Sequence, residues 1–364
     1  MVVRIIIVIV TANKKEESGK PLSFYFLLIF IHFNKHFWWK GEHNMAIGFE
    51  EEKGGPLIGG GPEKETIEFS IPDFYYLFDL NMNLLALMRN TPELFRDNVK
   101  ITSIYGTFPG CMWNSCHQSL GQATYENIAT TIMLLNNAGV SVRFTFNNSE
   151  IQGCHLMDIY SNEILKITSQ VKSETGIKNG VIINSDILDK HIIKSFPQFY
   201  HVWSDTKSIK NITDLNVLSE DRLTALPYDM NNSKQLDDIE YPENIEVSVN
   251  NPCIEMCPHR DAHYAEIGKL QLHKYTEGFM CPFGCENYFY YDSLVERGHF
   301  VSMDYIDAIY IPRKITKFKI LGRGDSPINV IESYVNYFAK PNQRDNVRNK
   351  LLIMHFNGIK YYLN

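Results

Sequence analysis

Short runs of β-branched and aromatic residues alternate with helical stretches along most of this chain, and no other feature narrows its fold as much. The runs fall at residues 101–105, 140–146, 180–183, 199–203, 223–227, 245–249, 308–311 and 318–321. Between them lie amphipathic stretches such as 125–137 and 160–172, the first closed by Asn136, Asn137 and Gly139, residues that stop helices. Alternation of this kind predicts parallel pairing, because parallel strands need a crossover and a helix is the usual one. Eight such strands without a glycine-rich phosphate cradle predict an α/β fold, a TIM-like (β/α)8 barrel rather than an open dinucleotide-binding sheet. The long excursion between the sixth and seventh runs adds a cysteine-rich insertion near the C-terminal half.

The barrel is expected over residues 96–342, after an extension at 1–44 and a Gly-, Pro- and Glu-rich lead-in at 45–95, with a tail at 343–364. Hydrophobic residues make up 44% and charged residues 21%, which excludes a disordered chain and a polytopic membrane protein. The extension holds two apolar runs, 2–10 and 22–33, each shorter than a membrane-spanning helix. No small-residue cleavage site follows the second, only Phe37, Trp38 and Trp39, so a signal peptide is not expected. Met45 is a second candidate start, and residues 1–44 are expected to stand outside the mature packed domain. A net charge of −7 excludes indiscriminate nucleic-acid binding but leaves room for a local basic groove. Arg313, Lys314, Lys317 and Lys319, with Arg344, Arg348 and Lys350 of the tail, are the residues available for one.

Seven cysteines are too few for a disulfide scaffold. Their grouping in close pairs points instead to metal binding in a reducing, cytoplasmic setting, with no membrane expected. Cys253 and Cys257 form one Cys-x3-Cys pair and Cys281 and Cys285 another, with 23 residues between the pairs. Four soft anionic ligands from two segments suit tetrahedral zinc or an iron-sulfur cluster, and the proline after Cys257 and after Cys281 favours the cluster. The three-cysteine pattern of radical enzymes is not met, since Arg260 and Tyr288 stand where its last cysteine would fall. Cys111, Cys116 and Cys154 read as ordinary thiols.

Beyond the second cysteine, Arg260 offers a planar fork for a carboxylate or phosphate, and His263 a proton donor or substrate contact. Several runs end in polar residues: Tyr105, Asn147, Asn148, Asn184, Ser204, Asp205, Asp229, Asn250, Asn251, Arg313 and Arg323. Such residues suit turns, but in a barrel the carboxyl ends of the strands form the catalytic mouth. Lys319 and Arg323, spaced to share a side of the last run, would face that mouth. The aromatic stretch 288–291 reads as core packing before base stacking.

At Lys317-Phe318-Lys319-Ile320-Leu321-Gly322-Arg323, followed by a helix with Val330, Tyr334 and Tyr337, the chain resembles the collagenase-like peptidase family. That family carries Phe-Lys-Ile-Glu-Gly-Arg at a barrel strand, and the Asn-Pro-Cys opening upstream agrees with it over residues 100–340. The resemblance implies a 4Fe-4S cluster on Cys253, Cys257, Cys281 and Cys285. It also implies oxygen-independent hydroxylation, or a related modification, of an RNA base or aromatic small molecule, with Arg260, His263, Lys319 and Arg323 at the site. Leu321 departs from the family's acidic residue, and the cysteine spacing differs too. A non-catalytic barrel held by zinc or a cluster, acting as partner subunit of a related enzyme, is therefore the alternative. A peptidase is the third reading, although neither Gly-x-Ser-x-Gly nor His-Glu-x-x-His occurs.

Overall fold

The computed structural model describes residues 4–15, 21–32, 65–172, 175–207, 209–231, 234–283, 291–296 and 299–363. Two compact units divide the chain, Met1–Gly61 and Pro62–Asn364. In the first, β1 (Arg4–Lys15) and β2 (Pro21–His32) pair antiparallel, with Arg4 opposite His32 and Lys15 opposite Pro21. Among the described residues no helix is long and apolar enough to cross a membrane.

The second unit is a closed parallel barrel. Its strands are β3 (Ile67–Pro72), β4 (Val99–Gly106), β5 (Ser141–Phe146), β6 (Gly180–Ile183), β7 (Tyr200–Trp203), β8 (Leu223–Ala225), β9 (Ile245–Ser248) and β10 (Lys317–Lys319). They follow chain order round the barrel, and β10 closes it by pairing Lys317 with Glu68 of β3 and with Glu246 of β9. Crossovers are provided by α1 (Phe78–Asn90), α2 (Tyr125–Asn137), α3 (Ile159–Gln170), α4 (Asp186–Ser195) and α5 (Ile212–Ser219). After β9 come α6 (Arg260–Gln271), α7 (Tyr291–Val295) and α8 (Met303–Tyr305), and after β10 come α9 (Pro327–Phe338) and α10 (Arg344–Phe356).

Eight strands form, but not the eight that the runs predict. Residues 308–311 are helical: α8 continues into a π-helical turn, Ile306–Tyr310, and a 3-10 turn, Ile311–Arg313. Ser302 caps this segment by accepting from the Tyr305 N–H at 3.1 Å, and Met303, Ile306 and Tyr310 bury one helical face. The missing strand is β3, inside the stretch expected to be a lead-in, where Ile67, Phe69 and Ile71 alternate outward and are fully buried. At the other end, α10 sinks Val347 and Leu351 into the same core. The packed unit thus runs from β3 through α10.

Strand alternation separates two interiors. Outward residues such as Val142, Phe144 and Phe146 of β5 meet the helices in the main apolar core. Inward residues are more polar: Arg143 donates to Glu246 across the barrel and, at 2.8 Å, to the Tyr200 hydroxyl, while Ser103 donates to Ser70 at 2.9 Å. Tyr105, Ile182 and Val202 make a small apolar cluster inside. Gly180 is required here, since a Cβ at that position would stand 2.5 Å from the Tyr200 ring.

Candidate active site

A cavity of about 540 Å³ opens at the carboxyl ends of the strands. Its wall brings together Cys253, Cys257, Cys281, Arg260, His263, Lys319 and Arg323, which are every described residue of the predicted site. Cys285 lies outside the described residues, as do residues 288–290. Among the described residues no group of three or more His, Cys, Asp or Glu is arranged to hold a metal ion.

The cysteine segment starts where β9 ends. Asn250 turns its side chain into a substitute strand, donating to the Leu321 carbonyl at 2.9 Å and accepting from the Leu321 N–H at 2.7 Å, so it extends the closure of β9 on β10. Asn251 accepts from the Cys253 N–H at 2.7 Å and sets the turn that presents Cys253. Arg260, at the start of α6, grips Asp229 with both terminal nitrogens, at 2.7 and 3.2 Å, and donates to the Ile254 carbonyl at 3.0 Å. Met256, at φ 49°, donates its N–H to the same carboxylate at 2.7 Å. The loop between the first two cysteines is thereby tied to the 3-10 turn Tyr228–Met230 that follows β8. Burial raises the Cys257 thiol above the ordinary cysteine value, and the Cys253 sulfur adds to the shift. Three half-buried thiols on one wall have the donor chemistry that a thiolate-held group needs, although the described residues do not complete a ligand set.

Arg260 therefore works as a brace as well as a wall residue, its guanidinium also lying 5.2 Å from the Tyr228 ring centre. His263, one turn along α6, stacks on Phe279 with ring centres 4.6 Å apart. Lys319 points inward from β10, 3.4 Å from the Asp205 carboxylate and 4.7 Å from the Tyr105 ring centre. Asp205 also accepts from the Tyr228 hydroxyl at 2.6 Å and from the Ser204 hydroxyl at 3.1 Å. Burial pushes the Asp205 carboxyl up, but Lys319 and these two hydroxyls outweigh it, and the group ionises below the usual aspartate value. Burial, reinforced by that carboxylate, holds the Tyr228 phenol protonated.

Arg323 follows β10 and reaches across the mouth. It donates to the Asn114 side-chain oxygen at 2.6 Å, to the Thr145 hydroxyl and to the Ser115 carbonyl. Cys116 and His117 come from the same loop after β4, and both line the cavity. Burial pushes the Cys116 thiol up to about 11 against the lowering effect of Arg323. The His117 side chain is exposed to the cavity, and the protein crowded round it, followed by the Arg323 charge, lowers its imidazole below the ordinary histidine value. Gly324, at φ 78°, gives His117 its room, because a Cβ there would stand 2.8 Å from the ring nitrogen.

Of the predicted strand-end residues, Tyr105, Asn147, Asp205, Asn250, Asn251 and Arg323 line the cavity. Asn148 and Asn184 brace loops instead, and Arg313, on its 3-10 turn, pairs with Asp237 at 2.7 Å. The basic residues do not form one groove: Lys317 donates to the Glu243 carbonyl, Lys319 faces inward, and Arg348 is clamped by Glu332 at 2.7 and 2.9 Å. Cys116, His117, Tyr228 and Tyr264 were not among the predicted site residues. The first three sit on a loop and a 3-10 turn that reach the mouth only through the fold, and Tyr264 follows His263 on α6.

No family model matches the chain, and no curated protein does. A solved structure of the U32 peptidase Mk0906 is similar at a TM-score of 0.43 and 12% identity, over 75% of this chain and 98% of that one.

Proposed function

We propose that the chain is an iron-sulfur barrel enzyme of the collagenase-like peptidase type. Its barrel mouth would act on an RNA base or a small aromatic molecule by oxygen-independent hydroxylation or a related modification. One observation carries the reading: thiols from two chain segments, Cys253 with Cys257 and then Cys281, line the same cavity as Arg260, His263, Lys319 and Arg323. A cluster bound by these thiols and Cys285 would supply electrons or coordinate an oxygenated substrate. The chain's own groups supply the rest. Asp205 keeps a buried ionised carboxylate against Lys319 and holds a proton on the Tyr228 oxygen, within reach of the mouth. This carboxylate lines the same cavity as Leu321.

Leu321 in the wall is the observation that favours the second reading, a non-catalytic metal-stabilised barrel acting as partner subunit. Anaerobic purification with iron, sulfide, zinc and absorbance analysis separates the two. About four iron and four sulfide per chain is the expected result, lost in Cys257→Ala. One zinc and no colour would move the assignment to the structural reading, and unchanged metal content in Cys257→Ala would remove these thiols from the site.

A further inference from the structure

Away from the barrel mouth, an apolar groove runs along the outer surface between α2 and α3. Both are crossover helices of a parallel barrel, so they run in the same direction, with their first turns at one end of the groove. At that end Tyr125 and Ile159 flank a depression of about 680 Å³. Toward the other end Ala129, Met133, Ile167 and Val171 line a second, of about 300 Å³. The inward faces of the two helices already serve the core through Ile128, Ile132, Ile164 and Leu165, all fully buried. The outward residues serve nothing in their own chain: Met133 is 39% exposed, Tyr125 53%, Ile159 76% and Met157, just before the α3 cap, 78%. A single exposed Met or Ile means little, but four large apolar side chains along one groove mark an interaction surface.

The charges on this face are sorted by end. Glu126, in the first turn of α2, and Asp158, the N-cap of α3, stand where the helices begin. Lys172 lines the depression at the far end. Glu163 and Lys166 of α3 pair with each other at 3.0 Å. Among the described residues, Glu126, Asp158 and Lys172 form no ion pair.

We infer that this groove docks a second copy of the chain, related by a two-fold axis through the middle of the groove. The axis lays α2 and α3 of the two copies antiparallel. It sets each Lys172 against the acidic end of the other copy, Asp158 and Glu126, and closes the two apolar grooves on each other. Opposite charges rather than like ones then face across the contact. A membrane surface fits this face poorly, because acidic residues stand where an interfacial helix carries basic ones. Helices of 13 and 12 residues are about 20 Å long and pack about 10 Å apart. A face of that size is at the small end of specific interfaces, which puts the dissociation constant at about 1–100 µM. The inference is independent of the barrel mouth and of the metal that the cysteines take.

The test is sedimentation equilibrium of the full chain under reducing conditions from about 1 to 200 µM, across which the mass should rise from one chain toward two. Ile159→Lys should weaken association about tenfold or more at an unchanged urea midpoint, because it sets a lysine against the second copy's Lys172 in a newly closed surface. Ile159→Glu should weaken it less, since the carboxylate meets that lysine. At Met133 the order reverses: Met133→Glu, near the second copy's Asp158, should weaken association more than Met133→Lys. The Met133 pair decides if Ile159→Lys fails to fold. A single chain at every concentration leaves the groove to a different protein and overturns the inference. Association unchanged in these variants overturns it too, since another surface then joins the copies. Equal weakening by lysine and glutamate at both positions removes the antiparallel arrangement and with it the inference.

Discussion

Asp205 and Lys319 are charged side chains that meet at the floor of the mouth, their side chains 5% and 6% exposed. Neither is well tolerated alone in such a place, because an unpaired buried charge loses its hydration without compensation. Asp205→Ala should therefore destabilise the barrel by about 3–5 kcal/mol in urea unfolding at pH 7, and Lys319→Met with Asp205→Ala together should cost less than Asp205→Ala alone. If the double change costs the sum of the single ones, the pair is not coupled. The same carboxylate gives a pH signature. Its folded value lies below the ordinary one, so its contribution is complete above about pH 4 and is lost as pH falls through the folded value. Asp325 runs the opposite way: burial raises it to about 6, so the fold favours its protonated form and loses that contribution as pH rises from about 4 through 6. Stability of Asp205→Ala should consequently fall less than that of the unaltered chain between about pH 4 and pH 2.

At the scale of the element, Gly180 and Tyr200 show how one strand depends on the next. Tyr200 fills the barrel interior and holds Arg143 and Ser141 through its hydroxyl at 2.8 Å, and it fits only because β6 begins without a side chain there. Gly180→Ala should cost about 1–3 kcal/mol by overpacking, seen as a lower urea midpoint at unchanged slope. A wild-type midpoint would mean that β6 and Tyr200 move apart freely. Elements of this type were legible where local pattern and burial agree: the stretch at 180–183 is a strand over its whole length, and 125–137 is a helix with Thr124 accepting from the Asn127 N–H at 3.1 Å. They were illegible where two periods compete. Residues 308–311 are apolar enough for a strand, but Met303, Ile306 and Tyr310 give the longer stretch a helical face. The run at 67–72 has a strand's alternation but follows Gly- and Pro-rich sequence and ends in Pro72, which hid it. At the site, residues fixed by a strand, such as Lys319, could be placed from spacing. Residues delivered by loops, such as Cys116 and His117, could not, because their positions depend on groups far along the chain, the Asn147 amide that donates to the Cys116 sulfur and Gly324 that leaves room for the His117 ring.

At the scale of the molecule, the closing seam of the barrel is backed by α9 and then by α10, the second of which lies in the stretch expected to be a tail. β10 has three residues, and only Lys317, Phe318 and Lys319 pair with β3 and β9. So short a ladder is held by what packs behind it. Phe318 lies outward, and Tyr337 and Phe338 of α9 stack around Phe69 with ring centres 5.5 and 5.2 Å away. The Tyr337 hydroxyl donates to the Val301 carbonyl at 2.8 Å, tying α9 to the segment before α8. α10 then covers α9, burying Val347 and Leu351 completely and clamping Glu332 with Arg348. Burial of those two side chains is worth about 3–6 kcal/mol, a large part of the stability of an ordinary domain. Ending the chain after Gln343 should therefore lower the unfolding midpoint steeply and expose the β10 seam, whereas Arg348→Ala alone should cost only about 1 kcal/mol. The two effects separate in one experiment. Hydrogen exchange at Phe318 and Lys319 should accelerate by orders of magnitude in the truncated chain and little in Arg348→Ala. Protected β10 amides after truncation would show that the barrel closes without α10 and that the strand ladder itself holds the mouth in shape.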